Sequence, residues 1–118
     1  MIVVLSETSG DVVGLKAVGK LSDADYENLI PRIESILAEE GKIKLLVDLT
    51  EFEGWEWQAA WDDVAFGIKH WNDITKMAVI GDARWEALVA KIADKLMSAE
   101  VKQFPSAETD DAWAWVKS

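Results

Sequence analysis

Seven tryptophans in 118 residues are the most prominent chemical feature of this sequence. Three of them, Trp55, Trp57 and Trp61, follow shortly after an apolar run at residues 43–49. An indole ring offers a large flat apolar surface and one N–H donor, which suits an apolar ligand pocket or the centre of a protein interface. The same rings would each bury about 150–250 Å² if they formed part of the core. Both interpretations remain open at the level of the sequence.

Residues that could perform catalysis are scarce. His70 is the single histidine, and the absence of cysteine excludes disulfides, thiolate metal sites and cysteine nucleophiles. No nucleophile–base pair or metal cluster can be assembled by spacing, and neither Asp62-Asp63 nor Asp110-Asp111 has the pattern of a calcium loop. We therefore predict that the protein is not an enzyme, and we expect no cofactor and no metal site.

The net charge of −10 argues against nucleic acid as a partner, because affinity for a polyphosphate comes largely from Lys and Arg. No apolar run approaches the ~20 residues that a membrane span needs. The first ten residues lack the basic region of a signal peptide, so we expect a cytoplasmic protein. The length of 118 residues predicts one domain, residues 1–118.

The tryptophans follow a segment that predicts a buried central strand. In residues 43–49 the apolar side chains are interrupted only by Lys44 and Asp48, which is typical of a strand buried on both faces. Residues 50–54 then predict a loop, in which Gly54 would act as a hinge. Residues 57–71 predict a helix. The central strand would thus deliver the tryptophans to the carboxyl edge of a sheet, where ligands bind in open α/β folds.

The remaining segments predict alternating strands and helices. Residues 2–5 and 12–20 predict a β-hairpin. A helix is expected to follow from its cap at Ser22 to Gly41, with Pro31 expected to kink or divide it. Further strands are expected at residues 76–80 and 101–104. Helices should follow each, the first carrying Trp85 on its inner face and the last carrying Ala112, Trp113 and Val116. The fold class is therefore α/β, with a mixed, mostly parallel sheet of four or five strands and an N-terminal hairpin.

Several motifs in this sequence resemble the SpoIIAA-like family. The resemblance covers nearly the whole chain and is most specific at Leu46-Val47-Asp48-Leu49, Phe52-Glu53-Gly54-Trp55, Lys69-His70, Ala78-Val79-Ile80-Gly81-Asp82 and Trp85. That family is related to STAS domains, whose best-known members antagonise anti-sigma factors. The resemblance implies a (βα) superhelical fold shared with the lipid-binding CRAL-TRIO domains, and it implies no known enzymatic activity.

The sequence departs from the sigma-pathway antagonists at one important position. Those relatives place a phosphorylatable Ser or Thr at the start of the helix that follows the central strand. Here the corresponding turn, residues 53–58, contains no hydroxyl, and Thr50 comes several residues earlier. We therefore expect the phosphorylation switch to be absent and its place to be taken by indole rings.

These observations define a candidate site and two candidate functions. In the first, the protein binds an apolar or amphipathic, lipid-like ligand, with peripheral membrane contact. In the second, it is a regulatory protein-interaction module without the phosphorylation switch. The ligand site would use Trp55, Trp57, Trp61 and Trp85 as its walls, and Asp48 or Arg84 to orient the ligand; Asp48 could instead simply accept N–H groups of the adjoining loop. Phe66 projects among the charges of its helix, which predicts a homodimer or a protein contact there.

Overall fold

A computed structural model of the chain describes residues 1–55, 73–82, 85–86, 90 and 99–118. Five strands form one sheet in the order β1-β2-β3-β4-β5. The described elements are β1 (Ile2–Val4), β2 (Val12–Leu21), α1 (Asp23–Glu40), β3 (Ile43–Trp55), β4 (Ile74–Ile80), β5 (Glu100–Phe104), a 3₁₀ turn (Ser106–Glu108) and α2 (Thr109–Lys117). β1 is antiparallel to β2, and the other neighbours are parallel. The predicted mixed sheet with an N-terminal hairpin is therefore confirmed. None of the described helices is long and apolar enough to cross a membrane.

Helix α1 begins and ends as the sequence predicts. The Asp25 carboxylate accepts a hydrogen bond from the Ser22 backbone N–H at 2.9 Å, which completes a capping box. At the other end Gly41 has φ 79° and its N–H donates to the Leu37 carbonyl at 2.8 Å. One continuous helix includes Pro31, so the proline does not divide it. The apolar side of α1 packs on the sheet, and this packing offsets the loss of the backbone hydrogen bond that a proline cannot donate.

Strand β3 is longer than the sequence predicts. Residues 50–54, which we expected to form a loop, are part of β3 and pair with the end of β2, where Gly19 lies opposite Phe52 and Leu21 lies opposite Trp55. Phe52 is only 2% exposed. The expectation of a loop was wrong. Pairing with β2 and burial of Phe52 stabilise a strand here more than the neighbouring polar residues disfavour one.

A β-bulge interrupts the pairing of β2 with β3. From Lys16 to Val18 the register advances by two residues on β2, while on β3 it advances by three, from Asp48 to Glu51. An extra residue in one strand reverses which side chains face a given side of the sheet. This explains why Leu49 and Phe52, which differ in parity, both belong to the same core cluster.

Each face of the sheet carries its own core. On the α1 side the cluster includes Leu45 and Leu49, with the half-buried Val47 packed against it. On the α2 side Leu46 is fully buried among Ala78, Ile80, Phe104 and residues of α2. Leu46 thus faces away from Leu45 and Val47, as a central strand requires.

Helix α2 packs on the sheet through the face that the sequence predicts. Ala112, Trp113 and Val116 are buried there. Trp115 is half-buried at the side, with its ring centroid 5.9 Å from that of Phe104. The described part of the chain therefore places Trp113 in the core and Trp115 over the edge of a cluster.

Candidate functional site

The carboxyl edge of the sheet has a step between β3 and β4. The paired residues of these two strands end at Asp48 and Ile80, whereas β3 continues to Trp55 alongside β2. The β2–β3 pair therefore projects beyond the end of β4. Such a step at the carboxyl ends of parallel strands provides a surface on which following segments and ligands can lie.

An aromatic pair occupies this step on the α1 side of the sheet. The ring centroids of Phe52 and Trp85 lie 4.6 Å apart with an interplanar angle of 33°. Phe52 belongs to the α1-side core, and the half-buried Trp85 packs against that core. The pair thus extends the core to the edge of the sheet.

Gly81 allows the chain to pass closely over this pair. A β-carbon at Gly81 would lie 3.2 Å from Trp85 Cδ1 and 3.4 Å from Leu49 Cβ, so a larger residue would push the indole outward. The Gly81 N–H donates to the Phe104 carbonyl at 3.0 Å, which fixes the end of β4 against β5. Leu49, Phe52 and Gly81 form the described surroundings of Trp85, and we call this group the Trp85 cluster.

Asp48 lies on the other face of the sheet. Its neighbours Val47 and Leu49 both pack on the α1 side, so the alternation of a strand directs Asp48 to the α2 side. There its Oδ1 accepts hydrogen bonds from the Thr50 N–H at 2.9 Å and from the Thr50 hydroxyl at 2.6 Å. The structure therefore does not bring Asp48 and Trp85 to one site, and the alternative role of Asp48 as an acceptor for a neighbouring N–H is the one observed.

The α2-side surface around Asp48 is charged. Lys16, the register partner of Asp48, forms an ion pair with Glu51. The hydrogen bond to Glu51, together with the negative charges of Glu51 and Asp48, raises the pKa of Lys16. Because these groups are open to solvent, the ion pair adds little to stability, and the surface remains hydrophilic.

Gly54 and Trp55 form the end of β3. Gly54 has φ 111°, a conformation that favours glycine, and it lies opposite Lys20 of β2. The backbone of Trp55 pairs with that of Leu21. The predicted hinge is thus a strand residue with an unusual backbone conformation, and its mobility stays a prediction.

Other predicted site residues lie outside the described part of the chain. These are Trp57, Trp61, Arg84 and Phe66. The described residues, for their part, include no group of three or more Asp, Glu or His side chains that could hold a metal ion.

Leu49, Phe52 and Gly81 were not predicted from the sequence as members of the aromatic site. Phe52 was overlooked because residues 50–54 were interpreted as a loop. A signal was present, since an aromatic residue between charged neighbours is typical of a strand with one buried side. Gly81 entered the sequence-based prediction only as part of the motif Ala78-Val79-Ile80-Gly81-Asp82.

The sequence profile of the SpoIIAA-like family matches residues 12–117. The chain belongs to the SpoIIAA-like family. The match includes all of β2 to β5 and all of α2, so the family covers the sheet except β1, the Trp85 cluster and the surface around Asp48.

A solved structure agrees with this membership. The SpoIIAA-like chain is similar to an uncharacterised protein from Shewanella loihica that has a SpoIIAA-like fold, with 37% sequence identity and a TM-score of 0.73. The similarity covers 98% of this chain and 93% of the other. No curated protein is significantly similar to this chain.

Proposed function

We propose that this SpoIIAA-like domain binds an apolar or amphipathic, lipid-like ligand and catalyses no reaction. The observation that carries the proposal is the Trp85 cluster at the stepped carboxyl edge of β3 and β4. At that edge the half-buried indole of Trp85, which packs on the buried Phe52, offers a ligand flat apolar surface where open α/β sheets bind their ligands. Apolar contact there would stabilise a complex by about 25 cal/mol for each Å² removed from water.

The proposed pocket opens next to Trp85. Gly54, with φ 111°, is the position at which the end of β3 would bend and move the tryptophans that follow it. Trp55, Trp57 and Trp61 are proposed to line the pocket together with Trp85, and Arg84 to orient a polar end of the ligand. Asp48 is left out of this role because it lies on the α2 side.

The test uses 5-fluorotryptophan, because ¹⁹F NMR can report each of the seven indoles separately. A titration with a long-chain fatty acid should shift the resonances of Trp85 and Trp55 in a saturable manner. Trp55→Ala should weaken binding without loss of folding. Trp115→Phe is the matched control, because Trp115 is a half-buried tryptophan on the α2 side. Equal affinity in Trp55→Ala and wild type, or shifts confined to Trp115, would contradict the proposal.

A protein-interaction role is the alternative, and membership of the SpoIIAA-like family supports it. The hydroxyl of the phosphorylation switch is absent from residues 53–58, so such a module would act without it. Association through Phe66 is part of this alternative. Sedimentation of wild type and Phe66→Asp at high concentration tests it, since a contact at Phe66 predicts a larger species that the substitution dissociates.

We further propose that the protein is cytoplasmic and contacts membranes only peripherally. With a net charge of −10, such contact would depend on the tryptophans and not on attraction to anionic lipids. Flotation with neutral phosphatidylcholine vesicles tests this, because binding through aromatic residues should persist there and should be lost in Trp55→Ala.

A further inference from the structure

A cleft lies between the edge strand β1 and helix α1, away from the Trp85 cluster. Its volume is about 230 Å³. The residues that line it include Ile2, Val4, Asp25, Asn28, Leu29 and Arg32. No tryptophan lines it. The cleft can therefore hold a molecule of roughly the size of a short-chain organic acid.

The floor of the cleft is apolar. Ile2 and Val4 alternate along β1 on the side that faces α1, and Leu29 faces them from the helix. All three are partly buried and pack against the α1-side core. A ligand in the cleft would therefore meet a hydrocarbon surface that is continuous with a rigid core.

One side of α1 supplies the polar rim. Asp25, Asn28 and Arg32 are three or four residues apart and so lie on one side of the helix. The Asp25 carboxylate is already engaged, since it accepts hydrogen bonds from Ser22 and lies 3.3 Å from the Met1 ammonium group. It is thus not available to pair with a cationic ligand unless the ammonium group is displaced.

Arg32 and Asn28 are available to a ligand. Neither side chain forms a hydrogen bond or an ion pair within the described part of the chain. A guanidinium group presents paired donors that match the two oxygens of a carboxylate, and an amide N–H₂ adds a further donor. The free donors beside the apolar floor are therefore a cation and an amide.

We propose that the β1–α1 cleft binds a small amphipathic monocarboxylate, whose apolar part lies on Ile2, Val4 and Leu29 and whose carboxylate pairs with Arg32 and Asn28. This site is separate from the proposed lipid site and does not depend on it. A short aliphatic acid fits the volume of the cleft, whereas the long chain proposed for the Trp85 cluster does not.

The test is a titration of the ¹⁵N-labelled protein with hexanoate, followed by NMR. The backbone amides of Ile2, Leu29 and Arg32 and the side-chain amide of Asn28 should shift saturably, while the indole N–H resonances stay in place. Arg32→Gln should weaken binding by about three- to fivefold, because a charge-assisted pair at an exposed guanidinium is lost. Arg32→Lys should weaken it less, since the charge remains. Lys42→Gln, which removes an exposed cation outside the cleft, is the matched control and should bind as wild type does.

Hexan-1-ol has the same chain without the charge and should bind more weakly than hexanoate. Equal binding of the alcohol and the acid, or an unchanged affinity in Arg32→Gln, would overturn the role of Arg32. Shifts of the indole resonances without shifts at Asn28 and Arg32 would show that hexanoate does not bind in the β1–α1 cleft. The fatty-acid site proposed at the Trp85 cluster is tested separately, by the ¹⁹F titration.

Discussion

The indole of Trp113 lies directly over Gly14 of β2. A β-carbon at Gly14 would lie 2.4 Å from Trp113 Cη2 and 2.9 Å from Cζ2, distances that no pair of unbonded carbons adopts. Gly14 is buried and the ring is 8% exposed, so neither can give way into solvent. Helix α2 can therefore approach the sheet this closely only because β2 has no side chain at this position.

Gly14→Ala should consequently destabilise the fold by about 1–3 kcal/mol through overpacking. Urea denaturation measures the change in the free energy of unfolding. A double-mutant cycle supplies the control, because in a Trp113→Leu background the added methyl group has room and its cost should fall sharply. An equal cost in both backgrounds would show that the strain lies elsewhere.

Lys76 of β4 holds the end of α2. Its Nζ donates to the Ser118 carbonyl at 3.1 Å and to the Ser118 hydroxyl at 2.8 Å, and it lies 5.2 Å from the centre of the Trp115 ring. Cations near the last carbonyls of a helix are stabilising. Lys76→Met should lower the free energy of unfolding by about 1 kcal/mol, as measured by chemical denaturation.

Lys44→Met is the matched control for Lys76. The two lysines are register partners on neighbouring strands and are both half-buried. The Lys44 side chain forms no hydrogen bond or ion pair within the described residues, so its substitution should change the free energy of unfolding much less. A similar loss in both variants would mean that the aliphatic stems of the lysines, and not the contacts of Lys76, stabilise the protein.

Asp25 should make stability depend on pH in the acid range. The backbone N–H of Ser22 donates to its carboxylate, and this bond, aided by the Met1 ammonium group, holds the pKa of Asp25 below its ordinary value of 3.8. A carboxyl group whose pKa is lower in the folded state stabilises that state above its unfolded pKa, and this stabilisation is lost as pH falls through the folded value. The contribution should therefore be complete at neutral pH and vanish at strongly acid pH.

Asp25→Asn should be less stable than wild type by about 1 kcal/mol at neutral pH, the usual contribution of a helix cap. The difference should shrink as pH falls from about 5 to about 2. Thermal unfolding across this range measures it, and Glu27→Gln, an exposed residue of the same helix, is the control. A difference that is constant with pH would show that ionisation of Asp25 does not support the cap.

Substitution of Leu46 tests whether the central strand β3 is buried. It is 0% exposed and packs among Ala78, Ile80 and the residues of α2. Leu46→Ala should reduce the free energy of unfolding by about 2–5 kcal/mol, through lost apolar burial and the cavity that remains. Val3→Ala, at a residue of β1 that is 38% exposed, should cost far less. A loss below about 1 kcal/mol for Leu46→Ala would be incompatible with a closed core at this position.

The sequence by itself determined the features that depend on local periodicity and on the residues at helix ends. The buried central strand, the ends of α1 at Ser22 and Gly41 and the inner face of α2 all follow from spacing and capping chemistry, which act between residues close in the chain. Only the tertiary structure decided the course of β3 beyond Asp48. The bulge between the Lys16–Asp48 and Val18–Glu51 pairs, and the pairing of Phe52 with Gly19, involve segments more than thirty residues apart. Together they place Phe52 on the side of Trp85 and Asp48 on the other. Such placement depends on strand register, a property of two segments together, which the residues of neither segment specify alone.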